Sequence, residues 1–286
     1  MADTVRLDEK LNAASGAYVD GTLNDALQTP HQLIEVFETA ELGTLMRIDG
    51  ANMVSTRDEF FYHENLVHPA AISHPAPRHI LIIGGGDGGA LEEVLKHSSV
   101  ERAVLVELDA GVIAMAKRHF QRVHYDAFDD PRVEVRIEDG QVFVRETCAR
   151  FDLVYLDLTD PIGPAESLYS RAFYRDCKRA LNPGGALVLH IGSPFSHASR
   201  VTQSMVDLRA VFSIVVPWFV HVPAYGAVWG FASASDALDP RALSSAAVDT
   251  CLAERGVGRR QYYNGEMHTA MLAIPEYVKP LITLNR

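Results

Sequence analysis

The segment that decides the fold reads ILIIGGGDGG at residues 80–89. Its four apolar residues predict a buried strand, and its glycines predict a turn that leads into a helix from about residue 90. Glycines let a backbone approach a ligand closely, and the start of a helix offers unpaired N–H groups to that ligand. The segment therefore predicts a binding loop between a strand and a helix.

Asp87 is the unusual member of this loop. Gly84, Gly86 and Gly89 also fit the dinucleotide pattern GxGxxG, so the glycines alone leave NAD, FAD and S-adenosyl ligands open. A carboxylate among them repels a phosphate and attracts a positive group. Because of Asp87, we expect a cationic nucleoside such as a sulfonium instead of a pyrophosphate.

Short apolar runs alternate with helical patterns from residue 79 onward, which predicts an α/β fold with a parallel sheet covered by helices. The runs lie at residues 80–83, 103–106, 133–137, 153–156, 186–191 and 214–218. In such folds, ligands bind outside the carboxyl ends of the strands. Acids follow the first four runs, and they are Asp87, Glu107, Asp139 and Asp157. We expect these four acids to surround one site.

Two of these acids suit a nucleoside. Glu107 stands near the spacing at which an acid binds ribose hydroxyls, and we favour that role over a solvated strand end. Asp139 can accept a hydrogen bond from an adenine amino group, and Gly140 would let the base lie flat. An ordinary loop role for Asp139 accounts for the sequence equally well.

A second acidic segment reads DLTDPIGP at residues 157–164 and precedes a helical pattern over residues 167–181. Its acids Asp157 and Asp160 can face the same cavity from a rigid turn. Pro161 and Pro164 stiffen the turn and remove backbone donors that would compete for the acids. The segment predicts a preorganised acidic wall.

The N-terminal part carries a different pattern. Short β-prone runs at residues 33–37, 44–48 and 51–54 are broken at Gly43 and at Asp49-Gly50. An Asp-Gly pair between such runs is a strong hairpin signal. We therefore predict a small antiparallel β domain over residues 1–56, followed by a catalytic domain over residues 57–286.

Two further features flank these runs. Residues 1–25 are weakly patterned, which predicts a frayed terminus or an arm used in assembly. Residues 56–59 fit a capping box, so we predict a helix over residues 60–67 that ends near Pro69.

Composition bounds the possible functions. The net charge of −11 disfavours nucleic acid and anionic membranes as partners, and no apolar run approaches the length of a membrane span. Cys148, Cys177 and Cys251 are far apart and lack CxxC spacing, which predicts a reducing, cytoplasmic location. His63 and His68 lie five residues apart and point in different directions on a helix, so no metal site is predicted.

Together these motifs resemble the polyamine aminopropyltransferases, the spermidine synthase family. The resemblance extends from about residue 32 to about residue 275. The matching stretches are GGGDGG at 84–89, VELD at 106–109, DG at 139–140, DLTDPIGPAESLY at 157–169, YHE at 62–64, VPAY at 222–225 and YYN at 262–264 with His268.

This resemblance implies a seven-stranded methyltransferase-like, or Rossmann-like, sheet with a small N-terminal antiparallel β domain. It implies transfer of a 3-aminopropyl group from decarboxylated S-adenosylmethionine to an amine, with release of 5'-methylthioadenosine. The cosubstrate is the nucleoside, and no tightly bound cofactor is expected. The partners are then a small polyamine and further copies of the chain, in a homodimer or homotetramer.

The resemblance also assigns roles to residues, and Asp157 becomes the proton acceptor. The predicted catalytic residues are Asp157, Asp160 and Tyr62. The predicted cosubstrate-binding residues are Gln32, Gly84, Gly86, Asp87, Glu107, Asp139, Gly140 and Pro164. The predicted amine-binding residues are His63, Asp87, Asp157, Asp160 and Tyr225.

The chain departs from the family pattern at a few positions. Leu158 stands where a small polar residue is usual, and the DLTD loop resembles that of thermospermine-type synthases. Met53, His190 and Gly192 replace polar residues of the amine channel, and Glu92 replaces an arginine. Putrescine is the favoured acceptor, while conversion of spermidine to spermine or thermospermine stays open. A methyltransferase and a non-catalytic polyamine-binding paralogue are the alternatives.

Overall fold

The computed structural model describes residues 3–161 and 163–283, with only the backbone of residues 163 and 164. Its first element is a five-stranded antiparallel sheet in which each strand pairs with the next along the chain. The strands are β1 (Thr4–Lys10), β2 (Gly16–Gln28), β3 (Leu33–Thr39), β4 (Gly43–Ile48) and β5 (Ala51–Ser55). The three predicted runs are confirmed as β3, β4 and β5.

The predicted Asp-Gly turn joins β4 to β5. Asp49 has φ +48° and Gly50 has φ +81°, which is the pair of positive angles that a tight hairpin turn of this kind requires. The frayed terminus predicted for residues 1–25 was wrong, because β1 and most of β2 lie there, while the alternative of an arm used in assembly stays a prediction. These strands bury few apolar side chains; Leu7 packs on Phe37 and Leu45, so their alternation is faint. The domain boundary at residues 56–57 stays a prediction.

Helix α1 (Glu59–Ser73) links the two sheets, and it differs from the prediction at both ends. The capping box does not form: Asp58 is the N-cap residue, and the Thr56 hydroxyl accepts a hydrogen bond from the Thr44 N–H at 3.1 Å. Pro69 lies inside the helix and does not end it. A proline has no N–H for the carbonyl four residues earlier, and the Trp218 indole N–H donates to that carbonyl, Asn65 O, at 3.1 Å.

The second sheet has seven strands. They are β6 (His79–Gly84), β7 (Arg102–Glu107), β8 (Val133–Ile137), β9 (Phe151–Asp157), β10 (Leu181–Gly192), β11 (Ile214–Val222) and β12 (Ala227–Ser235), in the order β11-β12-β10-β9-β6-β7-β8. The strands from β10 to β8 are parallel, whereas β12 runs antiparallel to both β10 and β11. The sheet is therefore mixed, and the all-parallel prediction was wrong at this edge.

Helices cover both faces of the sheet. They are α2 (Gly89–Leu95), α3 (Ala110–His119), α4 (Gln121–His124), α5 (Gly140–Glu146), α6 (Arg171–Ala180), α7 (Ala198–Arg209), α8 (Ser245–Glu254), α9 (Gly265–Met271) and α10 (Lys279–Ile282). Short 3₁₀ helices lie at Ala127–Asp129, Gly163–Tyr169, Pro223–Tyr225 and Pro240–Ala242. The helical pattern over residues 167–181 is thus a 3₁₀ helix followed by α6.

Successive residues of the central strands pack on opposite faces of the sheet, as the twofold strand period requires. Ile80 and Ile82 join the core that contains α1 and β3, while Leu81 and Ile83 join the core that contains α6 and α7. The carboxyl ends of β6, β7 and β9 meet at one edge, beside the N-terminal sheet. No helix within the described residues is long and apolar enough to cross a membrane.

Candidate active site

A cavity of about 360 Å³ lies between the carboxyl edge of the main sheet and the N-terminal sheet. Its wall on the main-sheet side is formed by residues 83–87, 106–109, 139–141 and 157–160. Every predicted site residue lines the cavity except Pro164, whose side chain lies outside the described residues. The predicted residues therefore surround one space, and the role of each stays a prediction.

The glycine loop fits closely against the acids around it. Gly84 has φ +81°, and a Cβ there would lie 2.1 Å from the Asp157 carbonyl oxygen. The Gly85 N–H donates to that oxygen at 2.8 Å, and the Gly86 N–H donates to Glu107 Oε2 at 3.2 Å. The N–H groups of these two glycines are therefore occupied by the protein's own oxygens.

Asp87 belongs to a chain of three charged side chains, in which a buried histidine lies between two partly buried acids. His63 Nδ1 lies 2.9 Å from Glu59 Oε2, and His63 Nε2 lies 3.5 Å from Asp87 Oδ1. Burial alone would lower the pKa of His63, but Asp87 and Glu59 together hold it well above its usual value. Burial would raise the pKa of Asp87, and the His63 charge holds it below its usual value. His63 is thus an imidazolium between two acids.

Asp157 is the last residue of β9 and is paired with Gly84 of β6. Burial, and then the charge of Asp87, raise the pKa of Asp157 to about 7, although His63 and a hydrogen bond from Tyr62 act in the opposite direction. Its Oδ2 is buried and has no hydrogen-bond partner among the described residues. The side chain is therefore a carboxylate poised to take up a proton near neutral pH.

Asp157, His63 and Asp87 also place three potential ligand atoms within 4.8 Å of one another. A histidine that ligates a metal must be neutral, whereas both ring nitrogens of His63 face acids. The cluster thus favours an organic cation, such as an ammonium group, over a metal ion. The absence of a metal stays a prediction.

Glu107 ends β7 and is held by backbone donors. Its Oε1 accepts from the Asp109 N–H at 2.9 Å, and its Oε2 accepts from the Gly86 N–H. Burial raises the pKa of Glu107 to about 7. Gln32 reaches the same region from the N-terminal sheet, and its Nε2 donates to Asp109 Oδ2 at 3.0 Å. Asp109 is a residue to which sequence reasoning gave no role, although it belongs to the VELD motif.

Asp139 and Gly140 begin α5. Asp139 Oδ1 accepts from the Gln141 N–H at 2.7 Å, so this acid is an N-cap as well as a cavity residue. A Cβ at Gly140 would lie 2.4 Å from the Ile83 side chain. Asp139 can cap α5 with one carboxylate oxygen and still offer the other to an adenine amino group. The geometry is therefore compatible with both the loop role and the adenine-binding role considered from the sequence.

Aromatic side chains form the other end of the cavity. The Tyr62 and Tyr225 rings meet edge to face with centroids 6.1 Å apart. The Tyr225 hydroxyl donates to the Met53 carbonyl oxygen at 3.0 Å, which ties β5 to the segment after β11. These residues give the acids an apolar neighbourhood, which is the condition that raises the pKa of a buried carboxyl group.

The acidic loop after β9 is held in place by His190. The Trp229 indole N–H lies 3.1 Å from His190 Nδ1, and since an indole only donates, Nδ1 accepts and the ring proton is on Nε2. His190 Nε2 lies 2.9 Å from the Leu158 carbonyl oxygen and 2.5 Å from the Tyr169 hydroxyl, which donates to Thr159 O at 2.9 Å. Burial, and then Arg200, lower the pKa of His190 to about 4, so it is neutral.

Asp160 has a partner that sequence reasoning missed. Arg200 Nη1 of α7 lies 2.7 Å from Asp160 Oδ1. Burial would raise the pKa of Asp160, but the guanidinium holds it below its usual value. No sequence signal joins Asp160 to Arg200, which lie 40 positions apart. The contact of Glu59 with His63, in contrast, follows the i, i+4 spacing of a helix and could have been predicted.

Comparison with known proteins bears directly on this cavity. The spermine/spermidine synthase domain matches residues 59–242. The chain belongs to this family. The match includes β6 to β12, and with them the glycine loop, the acids that follow the strands and the DLTD loop. It confirms the resemblance found in the sequence.

Individual members of the family are similar over nearly the whole chain. A polyamine aminopropyltransferase of Nitrosomonas europaea is 45% identical over 276 residues, which cover 96% of this chain and 85% of that protein. One from Shigella flexneri serotype 5b is 39% identical over 282 residues, covering 98% and 97%. These relatives support a transferase of polyamine biosynthesis.

Solved structures agree with the fold. A spermidine synthase in complex with the transition-state analogue AdoDATO has a TM-score of 0.90 and 33% identity. The spermidine synthase of Thermotoga maritima has a TM-score of 0.87 and 32% identity. Each comparison covers 97% of this chain and 94% of the other. The seven-stranded sheet with a small N-terminal antiparallel sheet is thus confirmed.

Proposed function

We propose that this family member transfers the aminopropyl group of decarboxylated S-adenosylmethionine to a polyamine and releases 5'-methylthioadenosine. The observation that carries the proposal is Asp157, which lines the cavity and whose pKa is raised to about 7. An ordinary aspartate titrates near 4 and is a poor acceptor for an amine proton. The environment of Asp157 corrects that mismatch.

In the proposed reaction, the acceptor nitrogen attacks the methylene carbon bonded to sulfur. The C–N bond forms as the C–S bond breaks, and its electron pair returns to sulfur, which becomes a neutral thioether. Positive charge therefore moves from sulfur to nitrogen, and the nitrogen then gives a proton to Asp157. The negative charges of Asp157 and Asp87 favour this movement because they lie where the positive charge ends.

The nucleoside is proposed to lie along the carboxyl ends of β6, β7 and β8. Glu107 accepts from the ribose hydroxyls, and Asp139 with Gly140 borders the adenine. Gln32, which Asp109 orients, closes this end from the N-terminal sheet. Asp87 and its neighbours then receive the aminopropyl tail, and their negative charge would repel the carboxylate of ordinary S-adenosylmethionine.

We favour putrescine as the acceptor, giving spermidine, with spermidine itself as the second candidate. Tyr62, His63 and Tyr225 border the amine, with its reacting end at Asp157. The apolar rings disfavour a charged ammonium at the reacting end of the diamine. Acids at the opposite end of the cavity keep its second amine charged. The cytoplasmic location and the homodimeric or homotetrameric assembly stay predictions.

The test incubates the purified protein with decarboxylated S-adenosylmethionine and, in turn, putrescine, cadaverine, agmatine or spermidine. Formation of 5'-methylthioadenosine with at least one amine is expected. Asp157→Asn is expected to lower kcat by 10²- to 10⁴-fold, roughly the contribution of a general base, while the nucleoside still binds. Asp129→Asn is the matched control, since Asp129 is an exposed acid paired with Lys117.

Two results would defeat the proposal. One is the absence of 5'-methylthioadenosine with every amine. The other is unchanged turnover in Asp157→Asn. Methyl transfer from ordinary S-adenosylmethionine, with the product S-adenosylhomocysteine, would instead establish the methyltransferase alternative.

A further inference from the structure

The two acids of the DLTD loop lie in different electrostatic surroundings. Asp157 Oδ2 has no partner among the described residues, whereas Asp160 is paired with Arg200. Among the described residues, Asp160 lines the cavity and Arg200 does not. The guanidinium thus lies behind the carboxylate, where it changes the charge that the cavity presents without filling the cavity.

The position of Arg200 depends on a glycine. Gly192 ends β10 with φ +87°, and a Cβ there would lie 3.2 Å from Arg200 Cδ and Nε. A larger side chain at residue 192 would therefore displace the guanidinium. Arg200 Nη2 also lies 3.2 Å from His190 Nδ1, the same nitrogen that the Trp229 indole N–H approaches. The ion pair is consequently built into the packing of β10 against α7.

The pair alters what the cavity can hold. A carboxylate that contacts a fixed guanidinium at 2.7 Å attracts a second cation much less than a lone carboxylate does. The Asp87 region differs, because there one imidazolium is shared by two acids. The cavity is thus more strongly anionic near Asp87 than near Asp160.

We propose that Arg200 is a specificity-determining residue that acts through Asp160: it weakens the hold of the cavity on the second ammonium of a diamine acceptor. The inference rests on the proposed aminopropyl transfer, since it assigns Asp160 to the acceptor. Removing the guanidinium leaves the negative charge of Asp160 without its compensating positive charge. Diamine binding then becomes tighter, while the reacting end at Asp157 is unchanged.

The test uses Arg200→Met in the full-length protein. Calorimetry with 5'-methylthioadenosine present measures putrescine binding, and initial rates give KM and kcat. We expect the Kd and KM for putrescine to fall about fivefold, the size of a partly exposed ion pair, with kcat little changed. Arg200→Lys keeps the charge and is expected to behave like the original protein.

Two further variants separate charge from structure. In Arg200→Met with Asp160→Asn, the gain in affinity is expected to disappear, since it acts through the carboxylate. Arg171→Met removes a comparable pair on the outside of the molecule, Arg171 with Asp207 at 2.8 Å, and is expected to leave putrescine affinity unchanged. The atoms that bond to the loop, His190 Nε2 and the Tyr169 hydroxyl, are not the atoms that Arg200 contacts, so these bonds to Leu158 O and Thr159 O are expected to persist in Arg200→Met.

Unchanged or weaker putrescine binding in Arg200→Met would overturn the inference, and so would a gain that persists without the Asp160 carboxylate. Failure of the proposed function is a separate result, seen as a lack of turnover by the original protein with every amine. Because calorimetry measures the Kd of putrescine directly, it tests the inference even when the turnover assay detects no product.

Discussion

At the scale of single residues, the site is governed by how each acid is partnered. Asp87 is ionised beside the His63 imidazolium, whereas Asp157 lies among apolar and aromatic groups and has one oxygen unpaired. Burial favours the neutral form of a carboxyl group, and a cation or a donated hydrogen bond favours the ionised form. Two acids that share one cavity therefore take up their protons at different pH values.

Asp157 predicts the pH dependence of the reaction. It must be ionised to accept a proton, so kcat/KM is expected to fall as the pH drops below about 7, the raised pKa of Asp157. Tyr62 donates a hydrogen bond that lowers this pKa. In Tyr62→Phe, the acidic limb of the pH profile is expected to move to higher pH, and initial rates across a range of buffers measure the shift.

Tyr125→Phe serves as the control, because Tyr125 is exposed and its ring stacks on Arg259 away from the cavity. Its pH profile should match that of the original protein. A limb that stays in place in Tyr62→Phe, or moves to lower pH, would contradict the assignment of Tyr62 as the partner of Asp157.

At the scale of elements, α1 shows how a helix continues through a proline. Pro69 cannot donate to Asn65 O, and Trp218 of β11 supplies the missing donor from the main sheet. A second carbonyl of this helix, Val67 O, accepts a hydrogen bond from the Tyr155 hydroxyl of β9 at 3.0 Å. The helix therefore depends on the strands beneath it for part of its hydrogen bonding, and it carries Tyr62 and His63 into the cavity.

This dependence can be measured with a double-mutant cycle. Trp218→Phe leaves a buried carbonyl without its donor and is expected to cost about 1–3 kcal/mol, apart from the loss of packing. Pro69→Ala gives the carbonyl a helical N–H again. We expect Pro69→Ala to raise the free energy of unfolding more in the Trp218→Phe background than in the original protein, as measured by urea denaturation. Equal effects in both backgrounds would disprove the coupling.

Elements with a strong local pattern were predictable from the sequence, and the others were not. The strand β6 with its glycine loop and the hairpin at Asp49-Gly50 follow from local rules. Strand β12 was missed because its sequence, AVWGFASAS, consists mainly of small residues that give no clear apolar run. The continuation of α1 past Pro69 depends on a tryptophan far along the chain, which local reasoning cannot supply.

The same limit applies to the site. Strand-end acids were predictable because parallel strands bring their carboxyl ends together. The partners of those acids were not, because Arg200 reaches Asp160 through tertiary packing, and Thr29 reaches Asp109 from the N-terminal sheet at 2.7 Å.

At the scale of the whole molecule, the N-terminal sheet completes the site and the net charge favours its ligand. The Asn52 side chain donates to Ala224 O at 2.8 Å, and Asp25 pairs with Arg118 and His119, so the two sheets are joined at several points. The chain carries a net charge of −11. A polycation therefore meets an attractive field before it reaches the cavity.

The field predicts a dependence on ionic strength. Raising sodium chloride from about 20 to about 300 mM shortens the Debye length from about 20 Å to below about 10 Å. The KM for the polyamine is expected to rise over this range, while the Kd of the uncharged 5'-methylthioadenosine, measured by calorimetry, stays nearly constant. Equal changes in both constants would show that salt acts on the fold and not on the charge of the acceptor.

The position of β12 has a consequence for how the chain matures during synthesis. Strand β11 is made first, yet it lies at the edge of the sheet and its one neighbour among the described strands is β12. A ribosome-bound chain that ends before residue 227 thus lacks the strand that pairs with β11. It also lacks Trp229, whose indole contacts His190, the residue that holds the acidic loop. We therefore expect that, in a chain that folds as it is made, the loop carrying Asp157 and Asp160 gains its support from His190 and Trp229 only after the last strand of the sheet has emerged.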